Sequence, residues 1–347
     1  MDSNAFDNFE NIYLHASQFP EQIYHDYLAG FKQKKIAHKF HYDTVEQSQQ
    51  WLNIHKTFSP FHKSEDYLNY YLHCFEASLR LLNKTNQQIE LISLGCGGGE
   101  KDVLMLSCLF KTGKTISYYP IDVSLSLCMI STLKARALAS DLSIKPVVCD
   151  LLFAKQLLNT IVPSNQLQKI VSFLGMIPNF SPDTIMPILN GFINPGDILL
   201  LSANLSPGID YLAGIKKVMY QYDNQPTKDW LFTILKNIGI SDRYGEVKFN
   251  IQDDDRITQL KKITAHFLLK NDITFDLGDT TIKWEKNDRI QLFFSYRYTT
   301  EKIKKMLAAY HIDVIEYWEN TTQEEGVYLC QKTYENSYLG NINVAIT

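Results

Sequence analysis

Leu94-Gly95-Cys96-Gly97-Gly98-Gly99-Glu100-Lys101 is the stretch of sequence that decides the fold. A short apolar segment, Glu90 to Leu94, leads into it, and a helical pattern from Asp102 to Phe110 follows it. Glycines placed directly after a strand let the backbone come close to a bound ligand and turn tightly into a helix. We therefore predict a ligand site at the end of this strand, with Gly95 and Gly97 against the ligand.

The spacing of these glycines argues against a dinucleotide. In the pattern G-x-G-x-x-G, the first two glycines match Gly95 and Gly97, but Glu100 occupies the third glycine position. A carboxylate beside a pyrophosphate is unfavourable, and the G-x-x-x-x-G-K-[ST] pattern of a P-loop is absent. S-adenosylmethionine carries no phosphate and needs no anion site, so the loop favours this cofactor.

Two acids follow at the ends of the next two predicted strands. Asp122 ends the segment Ile116 to Ile121, and Asp150 ends the segment Lys145 to Cys149. A carboxylate at the first position can accept both ribose hydroxyls, and a side chain at the second can reach the adenine amino group. The alternative for each is an ordinary turn acid that caps the next helix. The presence of both acids behind this glycine loop favours the cofactor interpretation.

Strand and helix patterns alternate around these motifs and indicate the fold class. With further strands predicted at 169–174 and 198–202, the alternation is typical of an α/β protein with a doubly wound, methyltransferase-type (Rossmann-like) sheet. After Leu205, alternating polar and apolar positions indicate antiparallel strands. The alternation of strands and helices resumes with a strand predicted from Arg289 to Tyr298.

We expect this break in rhythm to divide the chain into two domains. Residues 64–204 and 286–332 would form a discontinuous domain that binds S-adenosylmethionine. Residues 1–63 and 205–285 would form a smaller α+β lobe that binds the substrate. A ligand cleft should lie between the two.

The composition excludes several other classes of protein. The 347-residue chain is 45% hydrophobic with a net charge of −4, which describes a packed globular protein without a nucleic-acid partner. We find neither a secretory signal pattern nor an apolar stretch long enough to span a bilayer. Six cysteines without a C-x-x-C pair are expected to be reduced core thiols, and the histidines do not predict a metal site. We expect a cytoplasmic protein with a small-molecule substrate and no membrane partner.

The ordered motifs resemble those of the histidine Nα-methyltransferases of ergothioneine biosynthesis. The similarity extends over about Ile92 to Cys330, with a weaker match at Lys39 to Asp43. The matching segments, in chain order, are Gly95–Lys101, Tyr119–Ser124, Val147–Asp150, Phe173–Phe180, Pro195–Asp197, Tyr222–Asn224 and Phe294–Thr299.

The resemblance implies an S-adenosylmethionine-dependent methyltransferase whose extra lobe closes on an amino acid. It implies two groups of site residues. Those for the cofactor are Gly95, Gly97, Lys101, Asp122 and Asp150, and those for the substrate are Tyr42, Gly175, Asn179 and Tyr222. The alternatives are core packing for Tyr222 and a turn or helix cap for Asn179.

One departure from the family bears on the substrate. The family strand that supplies an acid to the imidazole corresponds to Ile263 to His266, where Thr264 stands at the position of the acid. A substrate imidazole would lose its charged partner, and an unpaired polar group strongly affects selectivity. We therefore predict methylation of the α-amino group of an amino acid or a similar small amine, with histidine poor or not preferred.

Two other functions remain open from the sequence. One is a methyltransferase for a different class of small molecule, and the other is a non-catalytic protein that binds S-adenosylmethionine. The sequence shows no Ser/His/Asp or Cys/His arrangement, and we assign no catalytic base from it.

Overall fold

The computed structural model describes residues 11–59, 61, 65–156, 167–254, 256–257 and 259–333 of the chain. The first ten residues of the predicted substrate lobe and the predicted boundary residue Ser64 lie outside this part.

Helices and strands alternate along the described chain. The helices are α1 (Pro20–Gln33), α2 (Val45–Phe58), α3 (Glu65–Leu79), α4 (Glu100–Phe110), α5 (Leu125–Leu138), α6 (Pro182–Phe192), α7 (Tyr211–Lys217), α8 (Gln225–Asn237) and α9 (Thr300–Ala308). The strands are β1 (Tyr13–Leu14), β2 (Gln88–Leu94), β3 (Thr115–Asp122), β4 (Ser143–Ile144), β5 (Val147–Val148), β6 (Gln168–Leu174), β7 (Ile198–Asn204), β8 (Gly245–Asp253), β9 (Lys261–Leu269), β10 (Ile273–Leu277), β11 (Thr280–Trp284), β12 (Arg289–Arg297), β13 (Ile312–Glu319) and β14 (Glu325–Lys332).

Among the described residues, nine strands form the main sheet, in the order β1-β5-β3-β2-β6-β7-β14-β13 with β4 beside β3. The strands from β1 to β7 pair in parallel, and β14 runs antiparallel between β7 and β13. The prediction of a doubly wound α/β sheet is confirmed. The strand order reverses between β2 and β6, and ligands bind at the carboxyl ends of strands at such a switch point.

Side chains of this sheet alternate between two cores, one on each face. Leu91 and Ile92 are neighbours in β2 and both are fully buried, but they pack into different cores. One core contains side chains of α6 and α9, and the other contains side chains of α3, α4 and α5. A strand covered on both faces reads as a continuous apolar run, which is why these segments were recognisable in the sequence.

A smaller sheet and the N-terminal helices form the lobe. Its sheet has the order β12-β9-β8 with antiparallel pairing, and β10 and β11 form a hairpin beside it. Phe31 of α1 stacks on Trp284 of β11 with ring centroids 5.7 Å apart. Trp230 of α8 donates a hydrogen bond to the His41 carbonyl at 3.0 Å. The N-terminal segment and the insertion therefore share one core, while the division of the chain into two domains stays a prediction.

The expected place of the strand from Arg289 to Tyr298 is wrong. We predicted that it resumes the main sheet, but β12 pairs with β9 in the sheet of the lobe. Only its end approaches the main sheet, through a single bridge between Tyr298 and Leu205. An apolar strand buried on both faces has the same sequence pattern in either sheet, so periodicity could not decide between them. The main sheet resumes at β13, after α9.

All six cysteines are buried and unpaired in the structure. In the part of the chain that the structure describes, no helix is long and apolar enough to cross a membrane. No group of three or more His, Cys, Asp or Glu side chains within those residues is arranged to hold a metal ion.

Candidate functional site

A cavity of about 550 Å³ lies where the main sheet meets the lobe. Its walls come from the carboxyl ends of β2, β3, β6 and β7, from α2 and the turn before it, and from α8 and β12. The nine site residues predicted from the sequence all line this one cavity. They are Tyr42, Gly95, Gly97, Lys101, Asp122, Asp150, Gly175, Asn179 and Tyr222.

Asp122 and the glycine loop form a rigid unit at the switch point. The Gly97 N–H donates to Oδ2 of Asp122 at 2.9 Å, and the Ser124 N–H donates to Oδ1 at 3.0 Å. Burial raises the pKa of the Asp122 carboxyl above its usual value, and the hydrogen bonds from Ser124 and Gly97 oppose this rise. Each carboxylate oxygen keeps a further acceptor position, which suits two ribose hydroxyls.

The backbone at Gly97 leaves little room for a side chain. Its φ is 52°, in the left-handed region, and an added Cβ would lie 3.1 Å from the Trp51 ring of α2. Nearby, α4 begins at Glu100, whose carboxylate forms an ion pair with Lys134. The positive end of this helix therefore already holds a carboxylate, which disfavours a pyrophosphate and suits a cofactor without phosphate.

Asp150 is paired with a lysine of the N-terminal segment. Lys39 Nζ lies 2.9 Å from Oδ2 of Asp150 and 2.6 Å from Oδ2 of Asp26 in α1. Burial acts to lower the pKa of Lys39, but the two adjacent carboxylates raise it above the ordinary value. Oδ1 of Asp150 accepts the Leu152 N–H at 3.0 Å. Asp150 thus connects the lobe to the sheet edge in addition to lining the cavity.

Lys101 lies close to a carboxylate at the start of β14. Its Nζ is 3.6 Å from Oε1 of Glu325 and 4.5 Å from the centroid of the Tyr71 ring. Tyr71 donates a hydrogen bond to the same Glu325 oxygen at 2.6 Å. A Cβ added at Gly175 would lie 3.7 Å from Lys101 Nζ, so the two predicted residues are neighbours across the loop after β6. The ammonium group thus lies at the cavity wall with one carboxylate, that of Glu325, nearby.

Aromatic side chains enclose the side of the cavity that faces the lobe. Tyr42 packs edge-to-face against Trp51 and Trp230, with ring centroids 5.7 Å and 5.4 Å away. Burial raises the pKa of the Tyr42 phenol well above its ordinary value, so the hydroxyl stays protonated. Asn179 ends a short 3-10 turn after β6, Ile177–Asn179, and also lines the cavity.

Tyr222 is the centre of a hydrogen-bond network. Its hydroxyl oxygen accepts from Arg297 Nη2 at 2.8 Å and from Asn204 Nδ2 at 3.1 Å. The Ser295 hydroxyl lies 3.1 Å away on its third side. Tyr222 therefore does more than pack in the core, because its polar end joins the segment before α8 to β7 and β12 beside the cavity.

Thr264 does not occupy the position that the sequence comparison suggested. It is fully buried in β9, where its hydroxyl donates to the Asn250 carbonyl at 3.4 Å, and it does not line the cavity. Phe294 of β12 pairs opposite it. The expectation that the residue at 264 sets the side-chain pocket is wrong, because the neighbouring strand β12 forms this wall through Phe293, Phe294 and Ser295.

Charge is distributed unevenly around the cavity. The carboxylates among its described lining residues belong to the main-sheet side and are Glu100, Asp102, Asp122, Asp150 and Glu325. The β12 wall is uncharged and carries His38 against it, with ring centroids 4.9 Å and 4.5 Å from Phe293 and Phe294. Burial, with a smaller effect of His41, lowers the pKa of His38 to about 3, so this histidine is neutral near pH 7.

Several residues that line the cavity or lie directly behind its wall were not found from the sequence. Asn204 ends β7 at the same sheet edge as Asp122, so the rule that located the strand-end acids could have located it. Ser295 and Arg297 lie in a segment that matched the family, but the pattern alone gave them no role. Trp51 gave no signal, because its place over Gly97 depends on how α2 packs.

The family model described as histidine-specific methyltransferase, SAM-dependent, matches residues 23–332. No curated protein sequence matches the chain.

Solved structures to which the chain shows similarity include three methyltransferases of low sequence identity. Magnesium protoporphyrin IX methyltransferase from Synechocystis PCC 6803 is 11% identical, with 83% of this chain and 95% of that chain covered and a TM-score of 0.41. A putative methyltransferase from Thermobifida fusca YX is 11% identical, with 88% and 98% covered and a TM-score of 0.44. The 1,6-didemethyltoxoflavin-N1-methyltransferase of Burkholderia thailandensis is 9% identical, with 83% and 87% covered and a TM-score of 0.41.

The family match extends over both the main sheet and most of the lobe, and it agrees with the cofactor predicted from the glycine loop. The chain is thus an enzyme that uses S-adenosylmethionine, and it belongs to the family of histidine-specific, S-adenosylmethionine-dependent methyltransferases.

Proposed function

We propose that the protein transfers a methyl group to the α-amino nitrogen of an amino acid. The observation that carries this proposal is that one cavity joins the glycine loop and Asp122 to Asn179 and Tyr222. The first pair suits a nucleoside, and the second offers amide and hydroxyl groups that suit the amino and carboxylate ends of an amino acid.

Asp122, Gly97, Gly95, Lys101 and Asp150 would hold the cofactor. S-adenosylmethionine supplies an electrophilic methyl group on its sulfonium sulfur. The free acceptor positions of Asp122 suit the ribose hydroxyls. Lys101 is a cation beside Gly175 and suits the carboxylate of the methionine part.

Asn179 and the residues of the lobe would hold the acceptor and exclude water. An amine attacks only with a free lone pair, so the ammonium form of the substrate first loses a proton to solvent. The nitrogen then bonds to the methyl carbon as the bond from this carbon to sulfur breaks, and S-adenosylhomocysteine is released. Holding the neutral nitrogen in line supplies most of the rate gain in such a reaction, and no strong base is needed. The aromatic group of Tyr42, Trp51 and Trp230 suits this task, because it covers the cavity with apolar surface. We assign no catalytic base.

The side chain of the substrate would lie against the β12 wall. This wall presents Phe293 and Phe294 and carries no carboxylate among its described residues. An imidazole would find no charged partner there, so we expect histidine to be a poor acceptor compared with the best amino acid.

Two substitutions test the substrate site directly. Tyr222→Phe and Asn179→Ala should each lower turnover of the best amino acid about tenfold or more, because each removes a hydrogen bond to a charged group. Their affinity for S-adenosylmethionine, measured by calorimetry, should stay within about twofold of the wild type. Turnover is measured as S-adenosylhomocysteine formed with each of the twenty standard L-amino acids.

Tyr317→Phe is the matched control. This tyrosine is 43% exposed on β13 and should leave turnover unchanged. Full activity in both site variants would contradict the proposal, and histidine turning over faster than every other amino acid would contradict the expected side-chain preference. Cofactor binding without turnover of any amino acid would indicate a different class of acceptor.

A further inference from the structure

Arg297 is a buried cation with no carboxylate partner in the described part of the chain. It ends β12, and only 1% of its surface is exposed. Among the described residues, no carboxylate oxygen lies within 4.0 Å of its guanidinium, although a buried charge usually requires such a partner.

The hydrogen bonds of Arg297 go to neutral groups. Nη1 donates to the Leu205 carbonyl at 3.1 Å, and Nη2 donates to Oε1 of Gln221 at 3.2 Å and to the Tyr222 hydroxyl at 2.8 Å. Nε has no partner in the described structure. Gln221 in turn donates to Oε2 of Glu324 at 2.7 Å, so an amide separates this carboxylate from the guanidinium.

The guanidinium determines which way the hydrogen bonds of Tyr222 run. A phenol oxygen has one proton and two acceptor positions. Arg297 and Asn204 fill both acceptor positions, so the phenol proton must be donated on the side of Ser295 and the cavity. When the Ser295 oxygen accepts the Tyr222 proton, the Ser295 hydroxyl must direct its own proton toward a group other than Tyr222. Tyr222, Asn204 and Ser295 all line the cavity, whereas Arg297 lies behind them.

A positive charge behind a layer of oriented hydroxyl and amide groups favours an anion in front of that layer. Among the described residues on the lobe side of the cavity, there is no carboxylate that could be this anion. A carboxylate of the bound substrate would accept the available hydroxyl protons and would also compensate the buried guanidinium.

We propose that Arg297 is the positioning residue of a subsite for the substrate carboxylate, and that it selects acceptors with an anionic group beside the amine. It acts through Tyr222 and Gln221 and does not touch the substrate. This inference rests on the proposed function. It adds that Arg297 makes the enzyme require a substrate with a free carboxylate.

The test compares two acceptors that differ only in charge. They are the L-amino acid that the wild type methylates best in a screen of the twenty standard amino acids, and the carboxamide of that same amino acid. We expect the wild type to prefer the amino acid by about tenfold or more in kcat/KM, the scale of one hydrogen bond to a charged group.

Arg297→Met removes the charge and keeps most of the apolar stem. We expect this preference to fall toward one, chiefly through a higher KM for the amino acid, while calorimetric affinity for S-adenosylmethionine changes by less than about threefold. Arg297→Lys keeps the charge and should restore part of the preference. Arg289→Met is the matched control, because Arg289 is exposed at the other end of β12 and should leave the preference unchanged.

A Tyr222→Phe, Arg297→Met double variant checks the route of the effect. If Arg297 acts through Tyr222, adding Arg297→Met to Tyr222→Phe should change the preference little further. A purely structural role would lower turnover of both acceptors equally and leave the preference at the wild-type value, which would overturn the inference. If Arg297→Met does not fold, Arg297→Gln, which also removes the charge, makes the same comparison.

The possible failures are distinct. A wild type that methylates no amino acid would refute the proposed function and this inference together. A wild type that methylates an amino acid and its carboxamide equally well would refute only the carboxylate subsite.

Discussion

Replacing Asp122 with alanine should weaken binding of S-adenosylmethionine without unfolding the protein. The carboxylate is 7% exposed at the end of β3 and receives one N–H from the glycine loop and one from Ser124. Each oxygen keeps an acceptor position toward the cavity, so the substitution removes hydrogen bonds between the cofactor and a charged group.

The loss of one such hydrogen bond sets the smallest effect expected. Hydrogen bonds to a charged group contribute about 1.5–3 kcal/mol, which corresponds to roughly a 10- to 150-fold increase in Kd. Burial already raises the pKa of the Asp122 carboxyl, so removing the carboxylate also removes a desolvation cost of folding, which should offset part of any loss of stability.

Isothermal titration calorimetry with S-adenosylmethionine and with S-adenosylhomocysteine measures this change. Asp279→Ala, at an exposed turn between β10 and β11, is the control and should bind as the wild type does. Thermal unfolding of both variants without ligand separates lost affinity from lost stability. An Asp122→Ala variant that remains folded and binds within twofold of the wild type would refute the placement of the ribose.

Two further predictions concern the scaffold around the cavity. Gly97→Ala should destabilise the protein by about 1–2 kcal/mol in urea unfolding, because alanine is strained at a φ of 52° and its Cβ meets the Trp51 ring; unchanged stability would show that the loop relaxes freely. Burial lowers the pKa of His41 to about 4, below its unfolded value of about 6.5, so the unfolded chain binds more protons as the pH falls through 6.5. Stability should therefore fall by about 2 kcal/mol for this histidine between pH 7.5 and pH 5; a His41→Gln variant with the same pH dependence as the wild type would contradict this assignment.

The main sheet was predictable because its signals are local. The central parallel strands β2, β3, β6 and β7 are buried on both faces and read as apolar runs. The glycine loop follows β2 directly, and Asp122 ends β3. The position of β12 was not predictable in this way. Whether an apolar strand pairs with β9 or with the main sheet depends on contacts between distant segments, which no periodicity records.

The candidate site was predictable in part. Residues at strand ends are brought to one edge by the topology, so Asp122, Asp150 and Gly175 could be expected together. Trp51 and Arg297 could not be expected there, because their places depend on how α2 and β12 pack across the sheet edge. The expectation at Thr264 was wrong for a similar reason. A short motif can be assigned to either of two neighbouring strands, here β9 or β12, and only their packing decides which one faces the cavity.

The site of methylation on the product tests the central claim most directly. The wild-type enzyme is incubated with S-adenosylmethionine and the best amino acid of the screen, and the product is fragmented by tandem mass spectrometry. We predict that every added methyl group is on the α-amino nitrogen and that the carboxylate is unmodified. A methyl group on the side chain or on the carboxylate would contradict the orientation of the substrate that Asn179 and Tyr222 are proposed to impose.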